Sequence, residues 1–164
     1  MTWLARAWVV VVALATATAL AQAQARPDLS GKWAISQAKS SAGATSNSAN
    51  ISFPSELIIT QRPAELHVEV RFPRSEPLTT VYKLDGSEIT AGTPAGVTEK
   101  ATAAWDGNTL VITARRVVSS AFGDFVTDSK EIWTRTGNVL TITKSETSDG
   151  VVTNERAVFD RDQP

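Results

Sequence analysis

The chain has 164 residues, no cysteine, one histidine and a formal net charge of −1 at pH 7. Without cysteine there is neither a disulfide framework nor thiolate chemistry, so stability has to come from packing. A slightly acidic balance lacks the basic face with which nucleic-acid binders meet phosphate backbones, and that sets nucleic acid aside as a partner.

Residues 1–25 read as a secretory signal. Arg6 lies in a short basic region, an apolar stretch runs from Trp8 to Leu20, and the small residues of Ala21-Gln-Ala-Gln-Ala25 precede Arg26-Pro27. Cleavage is expected near Ala23 or Ala25. The apolar run is interrupted by Thr16 and Thr18 and falls short of the roughly 20 continuous apolar residues of a membrane anchor, so no span is expected after cleavage. No cysteine follows the signal to accept a lipid. Residues 26–164 then have the size of one domain with one hydrophobic core.

The first element is Leu29-Ser-Gly-Lys-Trp-Ala-Ile-Ser36, with a strand from Gly31 to Ser36. A polar stretch of small residues follows, and residues 36–55 read as a long loop without hydrophobic period. Within it Asn50-Ile-Ser52 fits a glycosylation acceptor pattern, a frequent chance match. From Glu56 onward apolar and polar residues alternate in short segments, the pattern of antiparallel strands. The segments are Glu56–Gln61, Glu65–Arg71, Leu78–Leu84, Glu88–Thr90, Val97–Trp105, Thr109–Ser119, Phe125–Arg135, Asn138–Glu146 and Val151–Phe159.

The connections Arg62-Pro63, Asp85-Gly86, Asp106-Gly107-Asn108, Phe122-Gly123-Asp124, Thr136-Gly137 and Asp149-Gly150 carry hairpin-turn chemistry, so each strand should pair with the next. Two segments echo each other, Trp105-Asp-Gly-Asn-Thr-Leu-Val-Ile-Thr113 and Trp133-Thr-Arg-Thr-Gly-Asn-Val-Leu-Thr-Ile-Thr143. Two copies make a recurring hairpin, with turns of unequal length, rather than a propeller or solenoid. The fold class is all-β: an antiparallel up-and-down meander of about eight to ten strands, closed into a barrel to remove its edges.

Gly31-Lys-Trp33 on the first strand, the long loop, the meander and the basic residues of the last strand, Arg156 and Arg161, together resemble the calycin superfamily. The likeness is to small secreted bacterial proteins with lipocalin-like domains. It implies a periplasmic or secreted barrel in which Trp33 closes one end and Arg161 or Arg156 packs across it. A Trp and a guanidinium suit that role, because the cation stacks on the ring and the indole N–H needs an acceptor.

Chemistry-bearing residues are few. Strand alternation puts Leu66, Val68 and Val70 on one face and Glu65, His67, Glu69 and Arg71 on the other, so the sole His is expected outside rather than on a haem. One His and no Cys leave almost no material for a zinc or copper site and poor support for a catalytic triad, and no cofactor is expected. The turn carboxylates Asp85, Asp106, Asp124 and Asp149 serve local backbone hydrogen bonds, and no acid/base pair stands out. The strand threonines fit a solvated face.

For a ligand the candidates are Tyr82, Ala103, Trp105 and Trp133, with Trp33 as the cavity floor. Ala101, Ala103 and Trp105 share one strand face, which predicts space beside Trp105. The expected function is non-covalent binding of a small apolar or amphipathic molecule in the barrel, with residues 36–55 as a candidate lid. The alternative is an interaction or inhibitor-type module without a cavity, using the tip Ser120-Ala-Phe-Gly-Asp-Phe125. An outer-membrane barrel, apolar outside and polar inside, would read the same in alternation, but such barrels pair short turns with long loops and carry aromatic girdles, whereas here nearly all the turns are short and aromatics are few.

Overall fold

The computed structural model describes residues 26–41 and 53–162. The signal reading (1–25), the Asn50 pattern and residues 42–52 of the polar loop lie outside the described residues. The strands are β1 (Gly31–Ile35), β2 (Glu56–Gln61), β3 (Glu65–Arg71), β4 (Leu78–Lys83), β5 (Ile89–Thr90), β6 (Val97–Asp106), β7 (Thr109–Ser120), β8 (Gly123–Thr136), β9 (Val139–Ser148) and β10 (Val151–Arg161). All ten join one antiparallel sheet in the order β4-β3-β2-β1-β10-β9-β8-β7-β6-β5, so the first and last strands are neighbours and the sheet curls into a nearly closed barrel.

The break lies between β4 and β5–β6. Asp85 and Ala104 make an isolated bridge across it, and the Gly92 N–H donates to Thr80 Oγ1 at 3.1 Å. Gly92 is required there: a Cβ would stand 2.3 Å from the Thr79 carbonyl oxygen, and only a residue without one permits that approach.

Apolar residues of the inward face decide the sense of the alternation. Leu57 and Ile59 on β2, Leu66 and Val68 on β3, Leu110 and Ile112 on β7, and Leu140 and Ile142 on β9 are all buried in one core cluster. His67 is on the outer face, 3.1 Å from Glu65. This is the arrangement of a barrel with an apolar core, opposite to that of an outer-membrane barrel.

One end is plugged. Trp33 is fully buried and its Nε1–H donates to the Leu29 carbonyl at 2.9 Å. Leu29, also fully buried, is held by Gln61 Oε1, which accepts its backbone N–H. Arg161 lies opposite Trp33 in the β1–β10 register, with its guanidinium carbon 5.6 Å from the ring centroid. Arg135 of β8 stacks on the same ring at 5.7 Å and donates to the Asp28 carbonyl. Arg161 also donates to the Ser30 carbonyl, and a Cβ on Gly31 would meet its Nε at 2.9 Å. Gly31, at φ +142°, therefore makes room for the guanidinium.

Arg156 has a different position from the one the resemblance implies. It is five residues up the strand, donates to the Lys39 carbonyl and pairs by backbone with Ser41, so it fastens the start of the β1–β2 connection instead of covering Trp33. Strand alternation allows only residues an even number of positions apart to share a face, and Arg161 rather than Arg156 shares the inward face of Phe159 and Ala157. That connection is also more ordered at its start than a plain loop: Gln37–Lys39 form a 3₁₀ turn, and Lys39 pairs with Asp160 at 2.8 Å.

The two echoing hairpins have turns of equal length, against expectation. Asp106 pairs with Thr109 and Thr136 with Val139, leaving Gly107-Asn108 and Gly137-Asn138 as two-residue loops. The copies differ only in how far each Trp stands from its turn.

Trp33→Ala is expected to cost about 3–5 kcal/mol of unfolding free energy, as a large buried aromatic leaves a cavity. Arg161→Met, which keeps the aliphatic stem over the ring, should cost only about 1–2 kcal/mol. Urea denaturation of both variants checks this; a Trp33→Ala loss no larger than that of Arg161→Met would remove Trp33 from its central place.

Candidate functional site

Above the plug, the inward face changes character. On β6 to β9 the inward positions are apolar next to the closed end, at Ala103, Ile112, Trp133 and Ile142. Two to four residues further along, on the same face of each strand, they become Glu99, Arg116, Glu131, Lys144 and Glu146. The register brings them together: Glu99 is opposite Arg116, and Glu131 is opposite Lys144. Across the barrel, β2 to β4 and the residues leading into β2 supply an apolar wall of Phe53, Leu57, Val68, Val70 and Leu78.

Between these two faces lies a cavity of about 250 Å³, to which Tyr82 and Trp133 also contribute. It adjoins a groove of about 490 Å³ along the break in the sheet; Phe72, Leu78 and Arg116 line both. The site is thus an amphipathic chamber with its opening at the end away from Trp33.

The charges are unevenly paired. Arg116 Nε donates to Glu99 Oε2 at 2.7 Å, and Lys144 Nζ contacts Glu146 Oε2 at 2.5 Å. The third carboxylate, Glu131, accepts the Trp133 indole N–H at 2.8 Å and has no other hydrogen-bond donor among the described residues. Burial pushes the Glu131 carboxyl above its ordinary value, against the opposing pull of the indole hydrogen bond and of Lys144. Burial likewise pushes the Tyr82 phenol up, with Glu131 and Glu99 adding to it. Among the described residues no three carboxylate or imidazole groups converge into a metal-ligating set.

Of the four ligand candidates, Tyr82 and Trp133 line the chamber and the other two do not. Ala103 is buried in the core cluster with Leu84, Leu110 and Ile112, and Trp105 packs against that cluster. Trp105 lies towards the plugged end, under the Arg26 guanidinium at 5.9 Å, in a shallow cleft with Arg62 and Pro63. The alternation is correct; the error is one of height along the barrel, since the chamber opens two inward positions further along β6, at Glu99.

The five charged residues are missing from the sequence reading because charges on half-polar strands look like solvent contacts. One signal was available. Glu131 is two residues from Trp133, Lys144 two from Ile142, and Glu99 two from Ala101, so each continues an apolar face rather than its polar neighbour. Phe53 and Pro54, placed in the loop, are buried against the chamber.

No protein-family model matches the sequence, and comparison with curated proteins gives no match. Solved structures share the fold. The chain is similar to secretory abundant heat soluble protein 4 from Ramazzottius varieornatus, with a TM-score of 0.52 and 20% identity over 82% of this chain and 94% of that one. It is also similar to a zebrafish ileal bile acid-binding protein crystallised with cholic acid, with a TM-score of 0.58 and 15% identity over 81% of this chain and 98% of that one. At these identities the likeness is one of architecture, a calycin-like β-barrel.

The raised Glu131 carboxyl has a consequence for stability. Between the ordinary glutamate value of 4.5 and the higher value in the fold, the folded chain keeps a proton that the unfolded chain has released. Stability therefore falls as pH rises through that window. Glu131→Gln removes the loss, so the variant should gain on the native protein in urea midpoints as pH rises above the ordinary glutamate range; a difference independent of pH would show that the carboxyl titrates normally.

Proposed function

We propose that the protein is an exported, non-covalent binding protein that holds a small, partly apolar molecule inside its barrel. The observation that carries this reading is the chamber of about 250 Å³, walled by Leu57, Val68 and Val70 on one side and by polar side chains on the other. Specific small-molecule sites combine such apolar area with a few placed polar groups. Export rests on the signal pattern of residues 1–25, and the placement among small secreted bacterial lipocalin-like proteins on Gly31-Lys-Trp33 and the last-strand Arg161. The similarity in fold to a barrel crystallised with a bile acid agrees with an amphipathic ligand.

The interaction-module alternative has one observation in its favour. Phe122, at the tip of the β7–β8 hairpin, is 96% exposed and Phe125 is 52% exposed. A module without a ligand would have no such space, and the chamber supports the binding reading.

Indole, a compact neutral aromatic, serves as a probe. Saturation-transfer NMR should show it bound to the native protein, and Val68→Trp, which fills the chamber from β3, should abolish the signal while the far-ultraviolet spectrum of the barrel is kept. Equal transfer in native protein and variant would place the binding elsewhere and overturn the reading.

A further inference from the structure

The pairing of charges inside the chamber limits what its ligand can be. Both cations are already committed, Arg116 to Glu99 and Lys144 to Glu146. An anionic ligand would have to break one of these pairs and then sit beside three carboxylates. A cationic ligand breaks nothing. It meets Glu131, whose only hydrogen bond among the described residues comes from the Trp133 indole and whose carboxylate lines the chamber. Glu131 is half-buried and faces Lys144 across the β8–β9 register, but neither of its oxygens is bonded to a cation, and a ligand ammonium would supply that charge together with donors for the open oxygen.

Resting on the binding reading above, we infer that the chamber is a site for small hydrophobic primary amines, with Glu131 as the counter-charge and the β2–β4 wall, Leu57, Val68 and Val70, receiving the apolar body. The volume fits: about 250 Å³ is the space of roughly eight waters at ~30 Å³ each, enough for an aromatic ring on a short alkyl amine. The indole of Trp133 adds selectivity. It fixes one Glu131 oxygen and brings an aromatic ring to the same end of the chamber, where a cation is also attracted to a ring face. The other titratable groups lining this space are Glu99, Arg116, Lys144, Glu146 and Tyr82. The charged ones are matched in pairs and the raised phenol of Tyr82 stays neutral, so Glu131 is the carboxyl left without a bonded cation. The rise in the Glu131 carboxyl fits a group awaiting a cation, because binding one draws its titration back down.

Three probes of one shape separate the alternatives by calorimetric titration of the native protein: 2-phenylethylamine, 2-phenylethanol and 3-phenylpropanoate. The amine should bind at least about tenfold more tightly than the alcohol, the scale of one charge-assisted hydrogen bond, and the carboxylate most weakly. Glu131→Gln should bring the amine down to the affinity of the alcohol and leave the alcohol unchanged. This comparison needs no variant to establish the ranking, so a poorly folding Glu131→Gln does not spoil it.

If the alcohol or the carboxylate equals the amine, or if Glu131→Gln keeps the amine's advantage, the inference is overturned while the binding barrel stands. If indole binds and none of the three does, the same holds. Only failure of indole together with all three removes both.

Discussion

Burial of Trp33 is the constraint from which the rest of the barrel follows. An indole taken fully out of water needs an acceptor for its N–H and something to cover its two faces. Leu29 supplies the carbonyl, and Arg161 and Arg135 supply guanidinium groups on the ring. These partners come from the segment before β1, from the end of β10 and from the end of β8. A single side chain thereby ties the start of the domain to its end, and the β1–β10 pairing that curls the sheet runs through the same residues.

Plugging one end fixes where a ligand can go. With the bulk of the core gathered around Trp33, the inward positions of β6 to β9 run out of apolar partners as the barrel opens, and charged residues take their place. Gathering so much charge is tolerable because opposite signs bond each other, Arg116 with Glu99 and Lys144 with Glu146. The break between β4 and β5 leaves the chamber a way out, at the level where Gly92 packs against the Thr79 backbone. Stability and access are thus separated along the barrel axis: the packed end holds the fold and the polar end is free for function. The exposed aromatic Phe122 lies at the tip of the β7–β8 hairpin.

The fold was largely legible in the chain. β2 and β3 begin and end where alternation and turn residues place them, because hairpin geometry is local and Gly, Asn and Asp mark it. β10 runs two residues beyond its expected end, to Arg161, since pairing with β1 extends it past the point at which its own alternation weakens. The candidate site was legible only in part. Tyr82 and Trp133 were identified and are in the chamber, whereas Ala103 and Trp105 are nearer the plug. Spacing along one strand gives the face of a residue and says nothing about its height relative to residues of strands far away in sequence.

The sequence by itself determined the all-β class, the hairpin meander and the alternating faces of strands such as β3, since these depend on neighbours a few residues apart or on composition, while the closing role of Trp33 was what the resemblance to calycins implied. Tertiary structure alone decided that Arg161 and Arg135, and not Arg156, cover that Trp. It also decided that five charges scattered over four strands form the polar wall of a cavity, with Glu131 left without a cation of its own. Charge pairing across a barrel depends on register and curvature, and these exist only after every strand has found its place.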